Sequence, residues 1–484
     1  MQFRGLEARL RQAPVLLTAL TSQSKLYCWV ALVALLVGVS IFVLDPIFVV
    51  ICLGSLLALA LFTWAAKELS LAFTVFGGFL VLLYAGSRDF AYVGVTIDVV
   101  PLFVSEMCLG VTGILLFPKM VSAWSSGTRE PWVAPLVIYF VVGAIALFRG
   151  LPEYGIGAIR DSALCYYAVA FPLTVLLTPT RRHVKALMIM CCAGWAGAAI
   201  VVIYRYVTGS GLDLGINNVV RYGAGTQAVA SASSAGAALA SFSQNVRRVP
   251  RATLLFLGIG QVLIGVFLIQ HRTVSVAILV AMIGVTHFCL RDRWPLLLLV
   301  LGCALGIVLL PLGLMSGTGT LPPLVEKTFE RLETISAPNE EASSRWRLVI
   351  WRQAMSYGMS HPLMGAGFGP ALVPDSGYPV NDRVDPHNSY IAIFYRLGLP
   401  GIIALLLLWI PILRRAHQRC RVEPAARFRI GIALSAHLAV AVFACFNVVL
   451  EGPYMGIPFW VTLALLYQTS KPGWGDSKAS YGVA

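Results

Sequence analysis

Runs of mostly apolar residues, each about as long as the ~20 residues that carry a helix across ~30 Å of hydrocarbon, recur along nearly the whole chain. Within lipid every backbone amide and carbonyl must be satisfied internally, which leaves little beyond helices for such runs. Of 484 residues, 58% are hydrophobic and only 12% charged, so the priors for a soluble globular domain do not apply. The fold expected is all-α: a polytopic integral membrane bundle of about 12–14 helices.

The predicted spans are 26–44, 47–66, 69–86, 101–117, 132–148, 162–178, 186–207, 226–242, 252–270, 273–290, 295–315, 391–413, 430–449 and 453–468. The stretch "TQAVASASSAGAALASFSQ" is the weakest, because Ala, Ser and Gly suit tight packing against other helices better than exposure to lipid. A formal charge of +14 is explained by topology rather than by nucleic acid, provided the basic residues collect in alternate loops. Nearly two thirds of the 36 Lys and Arg do so, in both tails and in loops such as "TPTRRHVK", "SQNVRRVPR" and "RRAHQRCRVEPAARFR".

Five regions follow. Residues 1–25 read as a cytoplasmic amphipathic segment without the apolar core and cleavage site of a signal peptide. Residues 26–315 hold the first eleven helices, 316–390 a long exterior loop, 391–468 three more helices, and 469–484 a cytoplasmic tail. In a bacterial chain the exterior is the periplasm, which places the protein in the inner membrane. The loop is far longer than an ordinary connection, so it is expected to be functional. Its "SSRWRLVIWRQAMSYGM" spaces Trp346, Ile350, Met355 and Met359 as one apolar helical face. Nine of the ten cysteines fall in or against apolar segments and Cys420 in a basic loop, so no disulfide framework is expected.

The basic residues that break the topology rule carry the functional signal. Arg88, Arg149, Arg160, Arg221, Arg272 and Arg347 all map to the outer end of a helix or to an outer loop. Local pairing of Arg88 with Asp89 and Arg160 with Asp161 would explain two of them. As a set they point elsewhere: guanidinium offers phosphate two parallel hydrogen bonds from a cation that stays charged, and charges in membrane segments normally face the bundle interior. The ligand expected is an anionic lipid head, a diphosphate. Arg272 separates two apolar runs with almost no room for a loop, and His271 beside it is expected to cap or bond backbone.

At the return of the long loop stands "RVDPHNSYIAIFYRLGLPG", in which His387 and Asn388 mark the foot of a hydrophobic helix. An imidazole with an ordinary pKa near 6.5 can accept a proton at neutral pH, which suits activation of a hydroxyl nucleophile. "GAGFGP" lacks the strand before and the helix after that a nucleotide loop requires, and reads as a turn. His361 and His437 are expected to be structural. Glu106 is an intramembrane acid with no partner evident in the sequence, and Glu451 is placed to neutralise an outer arginine.

The order Arg272, "RWRLVIWRQAM", "HPLMGAGFG", "PHNSYIAIFYRLGLPG" and "FNVVLEGPYMGIPFW" resembles the O-antigen ligase and Wzy-type polymerase superfamily of bacterial polysaccharide enzymes, over roughly residues 255–468. The resemblance implies a GT-C-like, metal-independent glycosyltransferase without cofactor. It would move a glycan from undecaprenyl diphosphate to an acceptor hydroxyl, on lipid A-core for a ligase or on the next lipid-linked repeat for a polymerase. It assigns catalysis to His387, Arg272 and Arg347, with Arg345 a less certain neighbour. Arg160, Arg149, Arg88, Arg221, Arg345 and Asn388 are expected to bind substrate, and the partners are donor, acceptor and membrane lipids, with no nucleic acid. The exterior acids are scattered, so arginines are expected to do the work of a metal. A lipid-linked oligosaccharide flippase or a transporter is the rival reading, though the chain shows no internal repeat.

Overall fold

The computed structural model describes residues 70–97, 100–125, 130–213, 220–243, 248–269, 271–290, 342–372 and 385–472, with isolated positions at 295, 298 and 302. The expected segments 1–25, 26–44 and 47–66, the rest of 295–315, the loop 316–341, and residues 373–384 and 473–484 lie outside them. The described residues are overwhelmingly helical. Helices α1 Leu71–Ala91, α2 Val104–Ser125 and α3 Val133–Tyr154 are followed by short α4 Ile156–Asp161, α5 Ala163–Tyr166 and α6 Ala170–Leu177, then α7 Arg181–Thr208 and α8 Thr226–Ala240. Next come α9 Arg248–Leu263, α10 Arg272–Cys289, α11 Ala342–Ser360, α12 Ser389–Val422, α13 Arg427–Phe446 and α14 Pro453–Thr469. Two small antiparallel hairpins, β1 Gly94–Ile97 with β2 Val100–Phe103 and β3 Leu212–Asp213 with β4 Val220–Arg221, link helices at their ends. Eight of the described helices are long and apolar enough to cross a bilayer.

The small-residue stretch forms α8, and all fifteen of its residues are buried. At 1.5 Å per residue it falls short of a full crossing, but its composition lets α9, α10 and α13 approach closely. A Cβ on Gly236 would lie 2.1 Å from Ser435 Oγ, and one on Gly258 would lie 2.4 Å from Ala238 Cβ. Hydrogen bonds join the same surfaces: Ser435 Oγ donates to Ser233 O at 2.8 Å, and Gln261 Nε2 to Trp195 O at 2.5 Å.

Local contacts tie some of the connections expected on the cytoplasmic side to their neighbours. Gln468 Nε2 of α14 bonds Thr178 O ahead of α7, Arg251 Nε bonds Ser241 O, and Cys289 and Cys420 meet at 3.4 Å. Cys420 is therefore buried inside the last turns of α12 rather than in a loop.

The other end is organised by a break in α12. Gly398 has φ +67°, inside the left-handed region that favours glycine, and Pro400 has no amide to give to Arg396 O four residues earlier. The carbonyls this frees are met by the loop 361–370: Ala366 N donates to Tyr395 O at 2.7 Å and Gly367 N to Arg396 O at 3.0 Å. In return Leu399 N donates to Pro362 O at 2.7 Å. The "GAGFGP" segment is thus a turn, with positive φ at Gly365, Gly367 and Gly369. It lies against α3 so closely that a Cβ on Gly150 would be 1.8 Å from Phe368 O.

Helix α11 forms as expected, but its buried ridge is Trp346, Ile350, Ala354 and Gly358, four residues apart. Met355 and Met359 are exposed. Spacing by four follows one ridge of the helix, and Phe394 packing over Gly358 selects it.

Overpacking at the α8 seam is the expected weak point. Gly236→Leu should lower thermal stability in detergent by an amount equivalent to about 1–3 kcal/mol or more. Gly260→Ala, where a Cβ meets nothing within 4 Å, should leave it near wild type.

Candidate active site

The foot of α12 is fixed from three sides. Asn388 caps the helix, its Oδ1 accepting from Tyr390 N at 3.0 Å and Ile391 N at 3.1 Å. Ser389 Oγ accepts from Val449 N and Leu450 N at 3.0 and 3.1 Å, which ties the foot to the α13–α14 turn. Trp351 Nε1 of α11 donates to Pro386 O at 2.5 Å. Between these anchors His387 is held at φ +49°. Non-glycine residues seldom occupy that region, and they persist there where the surroundings over-determine them. Its ring stands edge-on to Trp346, with centroids 5.3 Å apart.

Burial, and then the neighbouring Arg347 guanidinium, push the His387 pKa down to about 4. The imidazole is therefore neutral at pH 7, with its basicity reduced by burial and by Arg347. Arg347 and Trp351 lie one turn apart on α11, so the helix that fixes the Pro386 carbonyl also sets the cation beside the ring.

Below the foot, Arg396 is 4% exposed and gathers acids from separate elements. It pairs with Asp161 of α4 at 2.8 Å and with Asp385 at 3.5 Å, and Glu451 of the α13–α14 turn is within electrostatic range. Asp161 Oδ2 also accepts from Gly369 N at 2.9 Å. Three carboxyls around one guanidinium cannot all ionise cheaply. Burial, with Asp385 adding to it, raises the Glu451 pKa against the opposing pull of Arg396. Glu451 lies within electrostatic range of the buried Arg396 but makes no ion pair with it among the described residues, and its raised pKa favours the neutral acid.

The local pairs do not form. Asp89 bonds Arg205 at 2.5 Å, and Asp161 faces Arg396. Arg88 follows a kink at Ser87 (φ +53°), whose Oγ donates to Ala224 O at 2.7 Å, and its guanidinium lies over the Tyr92 ring at 5.7 Å. The Tyr92 hydroxyl is within electrostatic range of Arg88, Arg160 and Asp385 together. Asp385 stands two residues before His387, and Arg347 is within electrostatic range of His387.

Arg272 opens α10 as expected, two residues after the π-helical turn Ile264–Ile269 closes. His271 caps α10 through its backbone, its carbonyl accepting from Val274 N at 2.8 Å, and its ring lies 5.5 Å from Phe443. That puts Arg272 at the same end of the bundle as the foot. Arg221 ends β4, beside Tyr222, whose amide bonds Leu268 O. Arg345 is exposed at the start of α11. Arg149 is also exposed, and its Nη1 donates to Met364 O at 3.1 Å, bracing the 361–370 loop. Asn388 has its carbonyl committed to the cap, which leaves only its amide NH2 for a substrate.

Glu106 has partners that the sequence did not disclose: Tyr166 and Tyr167 hydroxyls donate to its Oε1 at 2.7 and 3.1 Å, and Phe103 N to its Oε2 at 3.0 Å. His437 is a packed polar contact, 3.3 Å from Thr462 Oγ1, and His361 bonds Ser360 Oγ at 3.0 Å. Among the described residues no group of His, Cys, Asp or Glu is disposed to hold a metal ion. Sequence reasoning missed Arg396, Asp385 and Ser389. The signal for Arg396 was present, a lone arginine inside "SYIAIFYRLGLPG", and it obeys the same logic as the outer arginines.

No curated protein matches the chain. Residues 253–406, which run from α9 through α11 and the foot of α12 past its break, match the family model for O-antigen ligase. That is the superfamily the carboxy-terminal motifs resemble.

Proposed function

We propose that the protein transfers a glycan from a polyprenyl diphosphate carrier, undecaprenyl diphosphate in a bacterium, to an acceptor hydroxyl at the exterior face of the membrane. The match supports the coarser statement, a membrane enzyme that transfers glycans. The observation that carries the finer one is a neutral imidazole held in a strained backbone beside Arg347, supported by Arg88 and Arg160 within electrostatic range of Tyr92, which Asp385 also reaches.

In this reading the guanidinium groups of Arg88, Arg160 and Arg347 take the diphosphate, and Arg272 at the same end completes the set. His387 removes the acceptor hydroxyl proton as that oxygen attacks the anomeric carbon. The bond from that carbon to the diphosphate oxygen breaks, and its electron pair leaves with the diphosphate. Fixed cations in a water-poor cleft stabilise that developing charge more than water would. Attack opposite the leaving group inverts the anomeric centre. Of the acids within electrostatic range of Tyr92, Asp385 is engaged by Arg396 and Glu106 by two tyrosine hydroxyls and an amide, which in this reading leaves the cationic role to the arginines.

The two halves of the site are coupled. Arg347 is one of the two causes that hold His387 below its ordinary pKa. A bound diphosphate neutralises that cation, so donor binding makes the imidazole a stronger base at the moment it is needed.

His387→Ala should reduce transfer in proteoliposomes by about 10²–10⁴-fold, with normal insertion and the lipid-linked donor accumulating on the outer face. Donor trapped on the inner face would instead favour the flippase.

The pH dependence has a definite sign. Because the folded pKa of His387 lies below the ordinary 6.5, its neutral seat adds stability above that value and loses it as pH falls toward 4. The full difference is on the order of 3 kcal/mol. An NMR titration in detergent should place His387 near 4 in wild type and higher in Arg347→Gln. Arg149→Gln should not move it.

A further inference from the structure

At the end of α12 remote from His387 lies a cavity of about 590 Å3, lined by Glu130, Arg415, Gln418, Arg419, Tyr467 and Lys471. It joins the start of α3 to the last turns of α12 and α14, where the predicted spans begin at 132 and end at 413 and 468. The charges in it do not balance. Tyr467 carries two cations against its ring, Arg415 at 5.4 Å and Lys471 at 4.8 Å from the centroid. Glu130 is the one acid of the lining, and it accepts from the Tyr467 hydroxyl and from Lys471 Nζ at 3.0 Å. Arg419 pairs with Glu423, which Arg429 also engages at 2.9 Å. Arg415 is within electrostatic range of Glu130 but makes no ion pair among the described residues. A guanidinium has five N–H donors in one plane, more than the Tyr467 hydroxyl can use. The lining therefore holds more positive charge than its own carboxylates cancel. The complement is a phosphate, which guanidinium meets with paired hydrogen bonds.

The surroundings decide what carries that phosphate. Val422, in the lining itself, is 77% exposed. The same helices expose apolar side chains toward the middle of their spans, at Val137 and Ile138 in the first turns of α3 and at Leu406, Leu407 and Ile410 in the turns of α12 before Arg415. Tyr467 and Trp132 stand at the ends of their predicted spans, the level at which amphipathic rings meet lipid head groups. Acyl chains lying on the exposed faces of α3 and α12 bring their phosphate to this hollow, whereas a free anion uses the cations alone.

We propose that this cavity binds the phosphate of an anionic phospholipid, held by Arg415 and Lys471, with the acyl chains along α3 and α12. Basic pockets between membrane helices seat such head groups elsewhere. One lipid then bridges the ends of α3, α12 and α14. The positive-inside pattern expects this end in the cytoplasm, so the lipid is one of that leaflet, and the site is independent of the donor reading above.

The test uses the full chain in a neutral detergent, with phosphatidylglycerol, phosphatidylcholine, inorganic phosphate and polyprenyl diphosphate as probes. Native mass spectrometry should show phosphatidylglycerol retained about tenfold better than phosphatidylcholine with the same acyl chains, the size of one charge-assisted contact. Phosphatidylglycerol with a diazirine in the first carbons of an acyl chain should label residues 130–138 or 406–422. Arg415→Gln should remove most of that preference, whereas Lys119→Gln, an exposed cation of α2 outside the lining, should keep it. Gln418→Glu adds an anion at an exposed position of the lining and should lose the preference too, which decides the matter if Arg415→Gln does not insert. Equal retention of the two lipids, labelling elsewhere, or an unchanged preference in Gln418→Glu would overturn the assignment. Displacement of phosphatidylglycerol by equimolar inorganic phosphate would make the site one for a free anion. Tighter retention of polyprenyl diphosphate than of phosphatidylglycerol would make it one for the donor, and either result overturns the phospholipid.

Discussion

A single buried guanidinium holds the candidate site in register. Arg396 is nearly inaccessible and can be tolerated there only because acids close around it. Those acids arrive from different parts of the chain: Asp161 from the end of α4, Asp385 from the return of the exterior loop, and Glu451 from the α13–α14 turn. Each neighbours a group with a proposed role. Asp161 follows Arg160, Asp385 precedes His387 by two residues, and Glu451 follows the Val449 and Leu450 amides that clamp Ser389. Leaving one partner of such a buried pair without the other typically costs about 3–5 kcal/mol, so the arrangement resists drift. The charge that looks most structural therefore sets the distance between the candidate phosphate ligands and the candidate base.

The break in α12 explains how an arginine comes to sit at that depth. Gly398 and Pro400 end the regular hydrogen bonding, and the freed carbonyls of Tyr395 and Arg396 are taken by Ala366 and Gly367. The short segment before the break is thereby welded to the 361–370 loop, and through Gly369 N to Asp161. Main-chain bonds and the ion pairs thus meet at the same residue. Mobility at His387 is restrained by the cap at Asn388, the Trp351 bond and the Ser389 clamp, so its unusual φ persists without help from substrate.

Much of this was legible in the sequence, and the reasons for the exceptions are physical. Hydropathy located the eight described helices long and apolar enough to cross a bilayer, though the predicted span 162–178 is broken into short helices, and the Ala-Ser-Gly composition of 226–242 announced a helix for packing rather than for lipid. The apolar face of α11 was misread at Met355 and Met359, because period alone does not say which ridge meets a neighbour when Ala354 and Gly358 can also be buried. Pairing of Asp89 and Asp161 with their adjacent arginines failed because helical neighbours diverge around the axis, and each acid reaches instead to another helix. Arg396 was passed over since an apolar run reads as a span whichever single charge it hides, and Glu106 looked unpartnered because its tyrosines lie some sixty residues away.

A structure determined with a polyprenyl diphosphate bound would test the account most directly. It predicts the diphosphate within hydrogen-bonding reach of Arg88, Arg160 or Arg347, on the same side of the bundle as the His387 ring. A diphosphate seated at the opposite end, in the basic hollow of about 590 Å3 formed by Arg415, Arg419 and Lys471, would contradict it.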